Sequence, residues 1–243
     1  ASKKTKINLV FNKNINLNEI KLEGYLKLDN KEFKKYKFSK GFKKNNSNYT
    51  ITLNLNERID IDILNYSKPT TRTANISSNF SLKKDKIFIN NFFYKDEKNQ
   101  ISFKGMILKN NNLLDFKSIK VQTFKDELEN NNFEIKLEKK IYILGKKFDS
   151  TNLLKNINSK SKNNFLEKIN KEIEIKLSLI ATKQSKNLTD FVLIGKIEKG
   201  KFIKILSKTE ISPEKFLEIS LKKEVDSKNK ILEIYSDFPQ VVL

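Results

Sequence analysis

Three pairs of carboxylates stand out first: Asp60 with Asp62, Asp96 with Glu97, and Asp126 with Glu127. Closely spaced acids are what glycoside hydrolysis uses, one protonated and one ionised. Their settings argue against that chemistry. Asp60 and Asp62 alternate with Ile59, Ile61 and Ile63, so both fall on the polar side of an extended segment and into water. The other two pairs stand beside turn-forming residues and read as solubilising charges. Phe92, Phe93 and Tyr94 have the faces to stack on nucleobases, but they read first as the wall of an apolar core or groove. The chain contains no Cys and no His. That removes disulfides, thiolate zinc sites, cysteine nucleophiles and histidine bases. There is no Gly-rich phosphate loop, nucleophile elbow or zinc-protease pattern. No residue carries catalysis, no cofactor or metal is called for, and the expectation is a binding or structural protein rather than an enzyme.

The formal charge is +20 over 243 residues, and arginine contributes only Arg58 and Arg72 to it. A basic chain suits nucleic acid or an anionic lipid surface. Readers of bases and phosphates favour arginine, whose planar fork grips two oxygens at once. A surplus of lysine without arginine reads first as a solvated surface. Lys, Asn and Ile all have A/T-rich codons, so genomic composition supplies part of the bias. Nucleic acid is therefore not expected as a partner. No apolar run approaches the ~18 residues needed to span a bilayer, and ASKKTKINLV lacks a signal-peptide core. A sequence opening on Ala1 is expected to be an excerpt of a longer protein.

The elements that must position these residues are strands. Alternation with period two recurs along nearly the whole chain, broken by Asn-, Lys- and Ser-rich turns at the spacing of an all-β protein. The clearest sets are Ile20, Leu22, Leu26 and Leu28, then Ile51, Leu53 and Leu55, then Ile59, Ile61 and Ile63. The stretch Tyr49–Tyr66 reads as a hairpin of two strands around Asn56-Glu57-Arg58. Further strands are expected around residues 33–38, 76–82, 87–94, 101–107, 135–143, 173–179, 191–205, 216–221 and 231–234. Helix signals are few: Asp149 or Ser150 can cap a turn with Leu153, Leu154 and Ile157 on one face, and Pro213 can open a single helical turn. Asn158–Asn164 reads as a polar linker. Gly24, Gly105, Gly145 and Gly195 sit inside strands, which marks bulges, bends or close backbone approach. The fold class expected is mainly β, a long curved antiparallel sheet of repeated hairpins forming a groove, with one or two short helices. It is one continuous segment that can be subdivided near residue 130.

From Asn131 onward the order of elements resembles a known family. Asn131–Ile157 holds two short strands, then Gly145-Lys-Lys-Phe148-Asp149 and a helix start. Ile169–Ile211 holds a long strand, a turn ending at Leu188, a strand with Gly195, a turn at Gly200 and another strand. Ile231–Leu243 ends a strand at Ser236-Asp237, with Phe238-Pro239-Gln240 in place of the family's Asp-x-Gly run. This resembles the C-terminal region of the AsmA-like superfamily, which includes the AsmA, YhdP and TamB groups. The resemblance implies a periplasmic protein anchored in the inner membrane of Gram-negative bacteria, with an apolar β-groove that carries phospholipid between membranes during outer-membrane biogenesis. Phospholipid is then the expected partner, with membrane attachment through segments outside this sequence. The implied groove lining is the alternating set Ile20, Leu22, Leu26, Leu28, Ile51, Leu53, Leu55, Ile59, Ile61 and Ile63. On the residues alone the same set reads first as a closed, packed core, as in a structural or adhesive β-solenoid or sandwich, and only the resemblance brings the groove level with it. Nucleic-acid binding driven by the charge is the third reading.

Overall fold

The computed structural model describes residues 2–11, 17–27, 33–43, 46–110, 112–153, 166–183, 187–223 and 229–237. It is mainly β, and it divides into two compact units: Ala1–Ile59 with Lys68–Phe116, and Asp60–Ser67 with Lys117–Leu243. The first unit carries β1 (Ser2–Phe11), β2 (Leu17–Lys27), β3 (Phe33–Lys43) and β4 (Asn46–Leu55). Next come β5 (Ile59–Ile61) and β6 (Tyr66–Lys68), a separate two-stranded ribbon. The first unit then continues with β7 (Ala74–Lys83), β8 (Lys86–Asp96), β9 (Asn99–Lys109) and β10 (Asn112–Asp115). Its sheet runs β1-β2-β3-β4-β7-β8-β9, all antiparallel, with β10 on β9. The second unit carries β11 (Ser118–Lys125), β12 (Leu128–Leu137), β13 (Ile141–Asp149), β14 (Lys171–Ala181), β15 (Leu188–Glu198), β16 (Lys201–Ser212), β17 (Lys215–Lys223) and β18 (Lys230–Ser236), paired in chain order.

Local chemistry accounts for the hairpins. Asp126-Glu127 between β11 and β12 has φ of 50° and 64°, and Lys199-Gly200 between β15 and β16 has 50° and 72°. Both are two-residue turns with positive φ, whose twist matches that of the flanking strands. Pro213-Glu214, expected as a helical turn, is instead the tip of the β16–β17 hairpin, with Glu214 at φ 61°. Gly105 interrupts β9 at φ 63°, a conformation that a side chain resists. Gly145 lies opposite the register shift between Asn132 and Phe133, where an added Cβ would strike the Asn132 carbonyl and the Phe133 backbone.

Two further expectations change. The Tyr49–Tyr66 hairpin does not form: β4 pairs with β3 and β7, and β5 pairs with β6. Alternation stops at Ile61 because Asp62–Leu64 is a 3-10 turn closed by Asn65 in the left-handed region, φ 47°. The sheet is also not wholly antiparallel, since β13 and β14 run parallel from Ile141↔Ile173 to Asp149↔Ala181. A parallel pair needs a long crossover, and residues 150–170 supply it. The helix expected to start there is described only at Leu153; the rest of its expected span and all of Asn158–Asn164 lie outside the described residues. A 3-10 turn at Leu166–Lys168 precedes β14.

The second unit's core is a cluster of Ile141, Ile173 and Ile197, packed by Ile135, Ile143, Ile175, Leu193 and Phe202. These residues are register partners. Ile135, Ile143, Ile175 and Leu193 face one another across four strands, and Ile141 faces Ile173. Beside this apolar cluster runs a buried polar one. Asn131 donates to the Leu64 carbonyl at 2.6 Å and to Thr123 Oγ1 at 2.8 Å. Its own Oδ1 accepts the Asp149 N–H at 2.9 Å. The ribbon's turn is thereby fastened to β11, β12 and β13.

Candidate functional site

The first unit presents one apolar face, and the register shows how it is assembled. Cross-strand neighbours share a face, so each row of partners can be followed from strand to strand. One row runs Leu22, Phe38, Ile51, Ser78, Phe92, Phe103 across β2, β3, β4, β7, β8 and β9. The next runs Gly24, Tyr36, Leu53, Ile76, Tyr94, Ile101. On the other side lies Ile20, Lys40, Tyr49, Phe80, Ile89, Met106, and beyond it Leu82, Ile87, Leu108, Leu113. Ring contacts confirm the shared face. Tyr49 and Phe80 stack at 5.2 Å between centroids, Tyr49 meets Phe38 at 6.0 Å, and Phe92 meets Phe103 edge-on at 5.5 Å. The reverse face is polar across β4 and β7, where Thr50, Thr52 and Asn54 oppose Asn79, Ser77 and Asn75 and Thr50 donates to Asn79 at 2.7 Å; on β8 it carries Phe93 and Phe88, opposite Ser77 and Ser81.

Burial is graded across the apolar face. Tyr94 and Ile101 are buried, as is Ala74 beyond them. Leu22, Phe38, Ile51, Leu53, Phe80, Phe92 and Phe103 are half-buried. Leu82, in the outermost row, is 49% exposed.

The buried margin carries charge. Lys34, in phase with Tyr36 and Phe38, is buried and bridges Glu57 at 3.0 Å. Arg72 bridges fully buried Asp96 at 3.3 Å and exposed Glu97 at 3.1 Å. Lys68, also fully buried, donates to the carbonyls of Pro69 at 3.0 Å and Arg72 at 2.7 Å. Burial pushes the Lys68 ammonium below the usual lysine range, and the nearby Asp96 charge works against that. Asp96 is thus no solubilising surface charge, as the sequence suggested, whereas Asp60 and Asp62 are exposed as expected.

The ten residues expected to line a groove are not all brought together. Ile20, Leu22, Ile51, Leu53 and Leu55 lie half-buried on β2 and β4. Leu26 is on β2 opposite Lys34, and Leu28 lies outside the described residues. Ile59 and Ile61 belong to the β5–β6 ribbon and not to a strand beside β4, while Ile63 sits in the 3-10 turn at 46% exposure. The sequence reading left out Phe38, Ile76, Phe80, Phe92 and Phe103, which complete the rows. The missing information was strand partnership: each lay in a recognised alternating run, but only pairing shows which runs meet.

Among the described residues there is no group of three or more acids that could hold a metal ion. No helix among them is long and apolar enough to cross a membrane. Comparison with family models, curated proteins and solved structures finds no match to this chain.

Proposed function

We propose that the apolar face of the first unit is a groove for phospholipid acyl chains, in a protein that moves lipid between membranes. The observation that carries this reading is the graded face. Four mostly apolar rows spread over β2–β10, most of their residues half-buried, while the opposite face is polar across β4 and β7. Such a face is unusual on a soluble surface unless something covers it. A row across six strands has five spacings of about 4.8 Å, so about 24 Å of apolar surface. One leaflet's share of a bilayer's ~30 Å hydrocarbon core is about 15 Å, which fits along such a row.

The energetics suit a carrier. About ten methylenes, half covered by the face at ~0.8 kcal/mol each when fully buried, contribute about 4 kcal/mol. That corresponds to a millimolar hold per chain, weak enough for the lipid to slide. Membrane anchoring and a periplasmic location rest on the resemblance to the AsmA-like superfamily, not on this geometry.

The test is mass spectrometry of an organic extract of protein purified from cells. Phospholipid at a reproducible ratio is expected, and Leu53→Asp with Phe92→Asp should lower it while circular dichroism stays unchanged. Protein free of lipid, whose melting does not respond to added phospholipid, would end this reading in favour of a structural β protein.

A further inference from the structure

The reverse face of the first unit changes character from one side to the other. On β7 the residues that alternate with Ile76, Phe80 and Leu82 turn away from the apolar face, and their register partners turn with them. Lys83 brings Lys86, Ser81 brings Phe88, Ser77 brings Phe93 and Asn75 brings Lys95, while Lys104 joins opposite Asn91. Lys83 Nζ lies 5.7 Å from the centre of the Phe88 ring, which confirms that the two share a face. Along β8 this face carries Lys86, Phe88, Asn91, Phe93 and Lys95, so two rings stand between two cations. Phe93 is 37% exposed, an apolar ring turned to solvent among polar neighbours.

The cations here lack acidic partners. Among the described residues none of Lys83, Lys86, Lys95 and Lys104 stands in an ion pair. The acids around them are engaged: Asp85 by Lys109 at 2.6 Å, Glu97 by Arg72 at 3.1 Å, and Asp115 by the Phe116 N–H at 2.9 Å. Other strands contrast with this. On β2 and β3, Glu19 bridges Lys21, and Glu23 bridges Lys35 and Lys37. In the second unit six lysines, among them Lys136, Lys176, Lys196 and Lys208, bridge glutamates. The β7–β9 side of the reverse face thus combines uncompensated cations with open aromatic surface.

We infer that this part of the reverse face docks the protein on an anionic lipid bilayer, with Lys83, Lys86, Lys95 and Lys104 over the headgroups and Phe93 at headgroup depth. The inference goes beyond the groove and does not depend on it: the apolar face would hold single acyl chains, whereas this face meets a bilayer surface. From Lys86 to Lys95, β8 covers about 30 Å, so the four cations act on several headgroups at once. Lysine is a point charge on a flexible stem and reads charge without reading shape. The attraction therefore follows the surface charge of the bilayer and falls as salt screens it. The ring adds apolar contact that salt does not screen. Single-stranded nucleic acid fits less well, because its binding needs a basic track beside successive stacking platforms, and here two rings share one strand with lysines spread over three and no arginine among them.

The experiment is co-sedimentation of the whole chain with vesicles of phosphatidylglycerol and phosphatidylcholine in equal parts, against vesicles of phosphatidylcholine alone. The mixed vesicles should bind the protein and the neutral ones should not, and binding should weaken as salt is raised. Lys95→Gln with Lys104→Gln should lower the affinity about 25-fold, at about fivefold for each lysine. Both side chains are exposed, so the fold is kept. Phe93→Ser should lower the affinity several-fold at every salt concentration. Lys120→Gln with Lys204→Gln, the same loss of charge from exposed sites in the second unit, should stay within about twofold at physiological salt, where charges beyond about 8 Å are screened. Equal binding to the two kinds of vesicle overturns the inference. So does an equal loss in the Lys120 and Lys204 variant, since net charge alone would then explain the binding. Displacement from the vesicles by a single-stranded oligonucleotide at matched phosphate concentration overturns it in favour of nucleic acid. None of these failures touches the groove, which is read separately from the lipid extracted with the protein.

Discussion

Ile51 and Ile173 provide a matched pair for deciding whether the apolar face of the first unit is open or sealed. Ile51 is half-buried in the middle of its row; Ile173 is 6% exposed in the cluster with Ile141 and Ile197. Replacing either by Ala removes three carbons, worth about 2.4 kcal/mol if fully buried at ~0.8 kcal/mol per methylene. At Ile173 a cavity term is added, because surrounding side chains relax only in part, and the total should be about 3–4 kcal/mol. At Ile51 part of the side chain already meets solvent and no closed cavity can remain, so about 1–1.5 kcal/mol is expected. The assay is urea unfolding of delipidated protein followed by far-ultraviolet circular dichroism, with each unit's transition fitted separately because two units need not unfold together. Adding phospholipid should then widen the cost at Ile51 and leave Ile173 unchanged, since a ligand that binds only the folded state adds stability in proportion to its affinity. A loss above about 3 kcal/mol for Ile51→Ala in lipid-free protein would refute the reasoning, because only a side chain sealed on all sides costs that much.

Other outcomes follow from the same contacts. Asn131→Ala deprives the Leu64 carbonyl, the Thr123 hydroxyl and the Asp149 N–H of a buried partner; a loss of about 2–4 kcal/mol is expected in the second unit's unfolding transition. Burial raises the pKa of Asp149, but hydrogen bonds from Thr151, Asn65 and Asn130 outweigh it and hold the carboxyl below the usual range. Its contribution to stability is therefore complete above the unfolded carboxylate range and is lost as pH falls from about 5 through that range, so Asp149→Asn should flatten the acid limb of a stability–pH profile. Gly145→Ala should destabilise the second unit by driving a Cβ into the Asn132–Phe133 backbone, and Gly105→Ala should cost the first unit at least the ~1–2 kcal/mol of a positive φ; thermal melts of the two variants measure both.

The strands were legible wherever alternation was strong, as in Ile20 and Leu22, Ile51 to Leu55, or Ile173 to Leu179. They were less so where polar residues fill inward positions. In β11 the inward places are Val121 and Thr123, and Thr123 is fully buried on the strength of its bonds to Asn130 and Asn131. Pairing was not legible at all. Ile59 and Ile61 continue the beat of β4 after three polar residues, yet what decides their partner is the 3-10 turn and Asn65, which fold the chain back onto Tyr66–Lys68. Buried charge was missed because lysines and acids were assigned to water as a class. The phase of β3 held the signal: Lys34 falls two residues before Tyr36 and four before Phe38, and so on the apolar side.

On the lipid reading the face has to persist without its occupant, and the aromatic rows would supply the means. Tyr49 stacks on Phe80 with 12° between ring planes and touches Phe38, and Phe92 meets Phe103 at 69°. Each such pair contributes about 0.5–1.5 kcal/mol beyond area burial, and each acts along the sheet rather than across to a second layer. The rings therefore hold neighbouring strands in register, and in the proposed groove their outer edges are what would meet hydrocarbon. Aliphatic side chains at the same places would cover less of one another and depend more on whatever lay above them. On this logic the pair Phe92 and Phe103 should tolerate simultaneous replacement by Leu when lipid is bound better than when it is absent. The interaction in a double-mutant cycle should shrink as phospholipid is added; a coupling that is indifferent to lipid would mean that the rings are covered from above by protein.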